Sequence, residues 1–293
     1  MRSLGVKVYV LGSFTIDEIG DELVVGGPAY YSSLALTHMD HSNITIVSPV
    51  SDIHRRLVKD LRVNVVSVGS RTPVFKLTYV DGGRRLVVLK SKGEEIRFSD
   101  DVLWLMKDSL VIVSPVFREI DLNLLLEVRR YASMIALDIQ GFIRRLSDGG
   151  QVSIVWSDDV YEALRLADVI HADLSEVPGV RSMGEGCRLL SKYSDAIVMV
   201  SNGERGLVAS INGSYYYVPA LPGIEGNATG TGDILLAITA FEMFKGEDPL
   251  KAIAKGAVAA GLRVGRDRPP WFNGYEVEVL ALKLLSRVKM LTS

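Results

Sequence analysis

A glycine-rich segment late in the chain, residues 227–233 (NATGTGD), combines an anion site with a base. Glycine lets a ligand approach the backbone closely, and the apolar run that follows at residues 234–244 predicts a helix. The first N–H groups of a helix have no partner within it, and the helix dipole adds positive charge there, so phosphate binds well at such a place. Asp233 is not needed for that binding and would repel phosphate. Its presence indicates that a neighbouring group must lose a proton.

Two other glycine motifs do not fit this segment. A dinucleotide-binding fingerprint needs a third glycine where Leu235 stands, and a Walker P-loop needs a lysine that the segment lacks. A structural alternative stays open on these residues alone. Aspartate is a common helix cap, so Asp233 could simply end a turn and begin a helix.

Two further features with possible binding roles lie in the first 30 residues. Gly26 and Gly27 precede Pro28, which is typical of a helix start, and they would let a small polar ligand approach the backbone. An ordinary turn is the alternative. Asp17 follows the first predicted strand and is expected at the carboxyl edge of the sheet, where it could accept hydrogen bonds from two adjacent hydroxyls. A solvated loop carboxylate is the alternative there.

The elements that must position these residues alternate along the chain. Short runs rich in Val and Ile predict buried strands at residues 7–11, 44–47, 63–68, 110–113, 134–137, 169–172 and 196–200. Helical patterns are found at residues 29–39, 122–131, 161–166, 185–192, 232–244, 249–263 and 274–288. This alternation predicts an α/β fold with a mainly parallel central sheet flanked by helices on both faces. Ligands of such sheets bind at the carboxyl ends of the strands.

One segment departs from this alternation. Residues 74–79 and 84–89 are rich in β-forming residues and flank the turn sequence VDGG at residues 80–83, which predicts a hairpin within about residues 72–90. A hairpin alone is marginally stable, so it must pack on something. It is either a lid over the site or an antiparallel edge of the main sheet. We expect residues 1–293 to form a single domain that carries this hairpin.

At this point the chain resembles a known family. Residues 227–233 look like the DTTGAGD signature of the ribokinase-like (PfkB) carbohydrate kinases, and residues 200–206 (VSNGERG), Asp17, the diglycine and the hairpin extend the resemblance over nearly the whole chain. Residues 26–36, 77–85, 138–144 (DIQGFIR) and 171–176 resemble archaeal myo-inositol kinases of that family.

The resemblance implies a ribokinase-like fold with a small hairpin lid. It also implies transfer of the γ-phosphoryl group of ATP, with Mg²⁺, to a hydroxyl of a cyclic polyol, and myo-inositol is the expected substrate. Asp233 would be the general base, with the backbone of Gly230, Thr231 and Gly232 as the anion hole. The polyol pocket would comprise Asp17, Gly26, Gly27, Gln140 and Arg144. The nucleotide side would comprise Asp173, Glu176, Ser201, Asn202, Gly203, Gly206 and Ala257. Without the resemblance, Arg144 reads as part of a solvated basic pair with Arg145.

Two departures from the family signature limit what carries over. Asn227 replaces the first aspartate of the loop. In many family members that aspartate helps to place a monovalent cation, so a requirement for such a cation is left open here. Asp173 replaces the asparagine of the Asn-x-x-Glu element, while Glu176 is retained and would organise water around Mg²⁺. Alternatively, Asp173 and Glu176 cap the next helix.

Composition narrows the function classes. The net charge of −2 provides no broad basic field, which argues against nucleic acid as the main partner. A single cysteine, Cys187, excludes an internal disulfide framework, and no apolar run approaches the ~20 residues of a membrane span. We therefore expect a soluble, cytoplasmic protein, as a monomer rather than a homodimer. Two alternatives to the inositol kinase stay open: a sugar or nucleoside kinase of the same family, and a non-catalytic nucleotide or sugar sensor.

Overall fold

The computed structural model describes residues 6–79 and 85–291. The strands are β1 (Val8–Leu11), β2 (Thr15–Ile19), β3 (Glu22–Gly26), β4 (Ile44–Ser48), β5 (Asn64–Ser67), β6 (Val74–Tyr79), β7 (Arg85–Ser91), β8 (Leu110–Val113), β9 (Met134–Asp138), β10 (Arg144–Leu146), β11 (Val152–Ile154), β12 (Val169–Asp173), β13 (Ile197–Ser201), β14 (Leu207–Ile211), β15 (Ser214–Val218) and β16 (Lys289–Leu291). The helices are α1 (Pro28–His38), α2 (Asp52–Asp60), α3 (Asp100–Leu105), α4 (Leu122–Arg129), α5 (Gln140–Ile143), α6 (Asp158–Arg165), α7 (Met183–Leu190), α8 (Thr231–Phe244), α9 (Pro249–Val264) and α10 (Gly274–Leu285).

The larger sheet has ten strands in the order β5-β4-β1-β8-β9-β12-β13-β14-β15-β16. The seven strands from β5 to β13 are parallel, and the last three add on antiparallel. Every residue of β1 and β8 is buried, as expected of apolar strands that are covered on both faces. The predicted α/β fold with a mainly parallel sheet is confirmed.

The helices cover both faces of this sheet and form a separate apolar core on each. One core includes side chains of α1, α8, α9 and α10, and the other includes side chains of α3, α4, α6 and α7. The strand order reverses beside β1, because the chain adds β4 and β5 on one side of it and then β8, β9, β12 and β13 on the other. Such a reversal places a crevice at the carboxyl ends of the strands. Within the described ranges, no helix combines the length and the apolar character needed to cross a membrane.

A second sheet of four strands, in the order β3-β2-β6-β7, carries the predicted hairpin. β6 and β7 pair antiparallel, from Val74↔Ser91 to Tyr79↔Arg85, as the hairpin requires; the predicted turn, residues 80–83, lies outside the described residues. The alternative of an antiparallel edge of the main sheet is wrong. β2 and β3 were not predicted, and they enlarge the sheet beyond the expected hairpin.

Candidate active site

The carboxyl ends of the parallel strands bring the candidate residues together. Asp138, Asp173 and Ser201 are the last residues of β9, β12 and β13, and Ser114 follows the last residue of β8. α8 begins at Thr231 and packs across these strands, so its first turn faces their ends. The predicted rim position of the glycine loop agrees with this arrangement.

The glycine loop enters α8 through a left-handed residue. Gly230 is the N-cap, with φ 81° and ψ 1°. Its carbonyl accepts the first helical hydrogen bond, from Ile234 N–H at 3.1 Å. The N–H of Thr231 donates to the Ala228 carbonyl at 3.3 Å, and the Thr231 hydroxyl donates to the same oxygen at 2.8 Å. Of the three amides predicted for the anion hole, Thr231 is therefore engaged within the loop, which leaves Gly230 and Gly232 as the better candidates.

Asp233 does not serve as the cap of this helix. Across residues 6–79 and 85–291, no side chain caps the start of α8, and the Asp233 carboxylate instead accepts a hydrogen bond from the Ser114 hydroxyl at 3.0 Å. The Ser32 hydroxyl donates to the backbone carbonyl of Asp233 at 3.3 Å. These contacts fix the carboxylate over the end of β8, so the capping alternative is wrong.

The surroundings of Asp233 raise its pKa to about 7. Burial is the main cause and the charge of Asp138 adds to it, while the Ser114 hydrogen bond and the positive charges of His171 and Arg144 act in the opposite direction. An aspartate in water has a pKa near 3.9 and is a weak base. A pKa close to neutral is better matched to proton acceptance at physiological pH.

Two glycines of the loop are required by close packing. A Cβ on Gly230 would lie 2.2 Å from Cγ of the Tyr31 ring, and a Cβ on Gly232 would lie 2.7 Å from Cε1 of His171. Real Cβ atoms do not approach other atoms so closely. The loop can therefore lie flat on these two rings only because both positions lack a side chain.

His171 was not singled out by the sequence, and it forms a buried chain with two other residues. Its Nδ1 lies 2.8 Å from Oδ2 of Asp138, and its Nε2 lies 2.9 Å from Oγ of Ser201. The other Asp138 oxygen accepts from Gln140 N–H at 2.9 Å. The signal that could have found His171 is strand register, since His171 on β12 stands opposite Asp138 on β9.

The predicted polyol residues lie on both sides of the crevice. Asp17 is buried on β2 of the smaller sheet rather than at the end of a main-sheet strand, which differs from the expectation. A Cβ on Gly26 would lie 3.3 Å from Oδ2 of Asp17, so this carboxylate lies against the diglycine. Gly27 has φ 87° and begins α1, where its carbonyl accepts from the N–H groups of Tyr30 and Tyr31.

Arg144 is not part of a solvated pair. Its guanidinium donates to the Gln140 side-chain oxygen at 2.6 Å and to the Val116 carbonyl at 3.2 Å. The same group lies 6.0 Å from the centre of the Phe75 ring on β6, so the smaller sheet reaches over it. The structure thus brings Gln140 and Arg144 together, with Phe75 as a neighbour that sequence reasoning missed.

Asp173 and Glu176 form a capping box around the short 3₁₀ turn Leu174–Glu176, which was the alternative interpretation of this pair. Asp173 accepts from Ser175 N–H at 2.9 Å, and Glu176 Oε2 accepts from Asp173 N–H at 3.0 Å. Burial, together with the charge of Asp138, raises the pKa of Glu176 to about 7. A cation bound beside this carboxyl group would favour its ionised form.

The remaining donor-side residues follow β13. The Asn202 N–H donates to the Gly206 carbonyl at 2.9 Å and the Gly206 N–H to the Gly203 carbonyl at 3.1 Å, which closes a tight turn. Gly206 has φ 76° and packs against Val218, whereas Gly203, with φ 50°, has open space where a side chain would be. A ligand can therefore approach Gly203 rather than Gly206. Ala257 lies half-buried on α9.

Magnesium fits this edge only as a hydrated ion. Over the described ranges, no three or more His, Cys, Asp or Glu side chains cluster as a metal cage would require. Mg²⁺ keeps much of its water and is usually held through one or two carboxylates together with substrate phosphates. Glu176 is suited to hold such water.

No protein-family model matches the chain, and no curated protein matches it. Several solved structures are similar. A pyrophosphate-dependent kinase in the ribokinase family, solved as a sulfate complex, is 20% identical with a TM-score of 0.76, and the match covers 92% of this chain and 99% of that chain. One complexed with a pyrophosphate analogue and myo-inositol is 17% identical with a TM-score of 0.75, covering 93% and 99%. Ribokinase from Arabidopsis thaliana, complexed with ribose and ATP, is 19% identical with a TM-score of 0.71, covering 94% and 98%. The structural neighbours are kinases of the ribokinase family, and this chain has the ribokinase fold.

Proposed function

We propose that the protein is a small-molecule kinase that transfers a phosphoryl group to a hydroxyl of a cyclic polyol, with myo-inositol as the substrate. The observation that carries the proposal is the position of Asp233: a carboxylate with a pKa of about 7, one turn into a glycine-started helix. A base and an anion site so close together suit an alcohol that attacks a phosphate.

The catalytic step assigns one task to each group. Asp233 accepts the proton of the attacking hydroxyl, and the Ser114 hydroxyl keeps its carboxylate in place. The amides of Gly230 and Gly232 bind oxygens of the transferring phosphoryl group. Glu176 would hold the water of a bound Mg²⁺, which would supply positive charge against the donor phosphates. A positioned base contributes typically ~10²–10⁴ in rate, and a preorganised donor ~10²–10³.

The acceptor side suits a ring of hydroxyls. Asp17 can accept two hydrogen bonds, the Gln140 amide can donate and accept, and Arg144 donates through a planar fork. The bond from Arg144 to Gln140 orders both side chains before the substrate arrives. A similar structure of this fold is described as complexed with myo-inositol, which supports the same acceptor here.

The donor side is proposed to hold ATP through Ser201, Asn202 and Gly203. Two similar structures are described as pyrophosphate-dependent, so the donor is part of the test. Purified protein with Mg²⁺ is given ATP, ADP or pyrophosphate and each of myo-inositol, ribose, fructose, adenosine and cytidine, and phosphorylated product is measured by mass spectrometry. We expect inositol monophosphate with ATP, formed about 10²–10⁴ times more slowly by Asp233→Asn.

The same panel separates the alternatives. Product from ribose, fructose or a nucleoside, with none from inositol, would replace the substrate and leave the mechanism intact. Product formed with pyrophosphate but not with ATP or ADP would show that pyrophosphate, rather than ATP, is the phosphoryl donor. Ligand-dependent increases in melting temperature, without turnover of any acceptor, would instead identify a sensor and refute the kinase.

A further inference from the structure

Beneath the first turn of α8, three side chains from three strands form a hydrogen-bonded chain. Asp138 and His171 are 6% and 4% exposed, and Ser201 is half-buried at the end of the chain, next to the residues proposed to bind the donor. The chain runs from Asp138 Oδ2 to His171 Nδ1 at 2.8 Å and from His171 Nε2 to Ser201 Oγ at 2.9 Å.

The protons in this chain have only two arrangements. Because an ionised carboxylate only accepts, Nδ1 of His171 must carry a hydrogen toward Asp138. If the imidazole is neutral, Nε2 accepts from the Ser201 hydroxyl, and Ser201 presents lone pairs to its surroundings. If the imidazole is protonated, Nε2 donates to Ser201 Oγ, and the hydroxyl hydrogen of Ser201 turns outward. The two states thus give Ser201 opposite polarity.

The charged groups around the ring favour the protonated state. Asp138 on β9, Asp173 and Glu176 at the end of β12, and Asp233 on α8 are acidic, while the positive charge of Arg144 acts on Glu176 and Asp233. Burial of the ring lowers the pKa of His171, but the hydrogen bond and charge of Asp138, with Glu176 and Asp173, raise it overall. The ring also lies directly against Gly232 of the loop.

We propose that His171 is a positioning residue that, held by Asp138, turns the Ser201 hydroxyl so that it donates to a phosphoryl oxygen of the donor. This inference rests on the proposed function, because it needs a phosphate beside Ser201. His171 itself touches neither substrate nor the transferred atoms. Its second effect is to place a positive charge behind Gly232, which strengthens anion binding at the start of α8.

The test measures donor affinity without turnover. A non-hydrolysable ATP analogue with Mg²⁺ is titrated calorimetrically from pH 5.5 to 9 into wild type, His171→Gln, Ser201→Ala and the double variant. The matched control is His41→Gln, a half-buried histidine before β4 at the opposite end of the sheet. At pH 6 we expect each single variant to bind about tenfold more weakly than wild type, and this difference to disappear as His171 loses its proton. Titration of Asp233, of Glu176 and of the donor itself is common to wild type and variants, so it cancels in the ratio of their affinities.

The double variant decides whether the two residues act together. If His171 works through Ser201, the double variant binds no more weakly than either single variant, and His41→Gln keeps the wild-type profile. Additive losses, or a wild-type profile in His171→Gln, would overturn the proposal. Imidazole ¹⁵N NMR gives an independent readout of the protonation state. A neutral His171 at pH 6 overturns the inference, whether or not the donor binds. A protonated His171 in a wild-type protein that binds no donor refutes the proposed function instead.

Discussion

At the scale of single residues, the carboxyl group of Asp233 differs from an ordinary aspartate in its environment rather than its chemistry. It is partly buried, held by one hydroxyl, and lies near a second carboxylate at Asp138. The sequence alone identified Asp233 through the glycines around it. Its raised pKa comes mainly from burial and secondly from the charge of Asp138, which is distant in the sequence and was expected only as part of a substrate segment.

Asp233→Asn is expected to keep donor binding and to lower kcat by about 10²–10⁴. The amide has nearly the same shape and still accepts from Ser114, but it cannot take up a proton at neutral pH. Steady-state kinetics with inositol and calorimetric titration of the donor on the same preparation check both halves. A variant that retains near-wild-type kcat would remove Asp233 from the base role.

The pH dependence of kcat/KM should show a rising limb near pH 7. The base must be ionised to act, and the pKa of Asp233 is raised to about 7, so activity is low below that pH and increases above it. Glu176, whose pKa is also about 7, titrates in the same range, so the limb belongs to both carboxyl groups. Rate profiles of wild type and Glu176→Gln separate them: a limb that disappears in Glu176→Gln would contradict the assignment to Asp233.

At the scale of elements, the start of α8 depends on glycine for two separate reasons. Gly230 adopts a left-handed backbone and also lies on the Tyr31 ring. Sequence reasoning found the glycines as a place for phosphate to approach. It could not find the ring contacts, because Tyr31 comes from α1, nearly 200 residues earlier.

Gly230→Ala is expected to destabilise the protein more than Gly246→Ala, its matched control. Both positions have positive φ, 81° and 94°, and each substitution costs roughly 1–2 kcal/mol of backbone strain. Only the Cβ at position 230 collides with a ring, which adds about 1–3 kcal/mol; the Cβ at position 246 meets nothing within 4 Å. Urea unfolding measures both free energies, and equal losses would show that the ring contact has no energetic weight.

Only half of the smaller sheet was predicted from the sequence. β6 and β7 were predicted from their composition and turn sequence. β2 (TIDEI) and β3 (ELVVG) were not, because Asp17 and Glu18 interrupt the apolar pattern of β2, and β3 is recognised as a strand only through its pairing with β2. Asp17 was therefore expected at the rim of the main sheet, whereas it lies on β2 of the smaller sheet, between β3 and β6.

At the scale of the whole molecule, the helices that carry the site are joined by a partly buried network of charges. Lys255 on α9 contacts Glu242 of α8 at 2.6 Å, Glu247 at 2.9 Å and Glu278 of α10 at 2.7 Å. Individual lysines and glutamates on helices are usually solvated, so no sequence pattern indicated this cluster. The same limitation applies to His171, whose partners Asp138 and Ser201 come from two other strands.

Lys255→Met is expected to lower the free energy of unfolding by about 3 kcal/mol. The side chain of Glu242 is 2% exposed, and among the described residues the substitution leaves it paired with Lys245, whose own side chain is 45% exposed. Lys251→Met is the control, since Lys251 contacts Glu247 and Glu278 from a more exposed position, where solvent weakens ion pairs, and its loss should cost much less. Denaturant titration of both variants decides; similar losses would mean that burial of the network does not matter.

β16 is the strand at one edge of the large sheet, where it covers the backbone of β15 and limits pairing with other copies of the chain. β16 pairs with β15 through Tyr215, Tyr216 and Tyr217, and it is itself short and carries Lys289, features that discourage edge-to-edge association. Removing residues 289–293 would expose the backbone of a tyrosine-rich strand as a template for aggregation. Light scattering should then rise with protein concentration, and Tyr216→Lys in the shortened chain should suppress this rise. A shortened chain that stays monodisperse would show that β15 does not promote aggregation when β16 is absent.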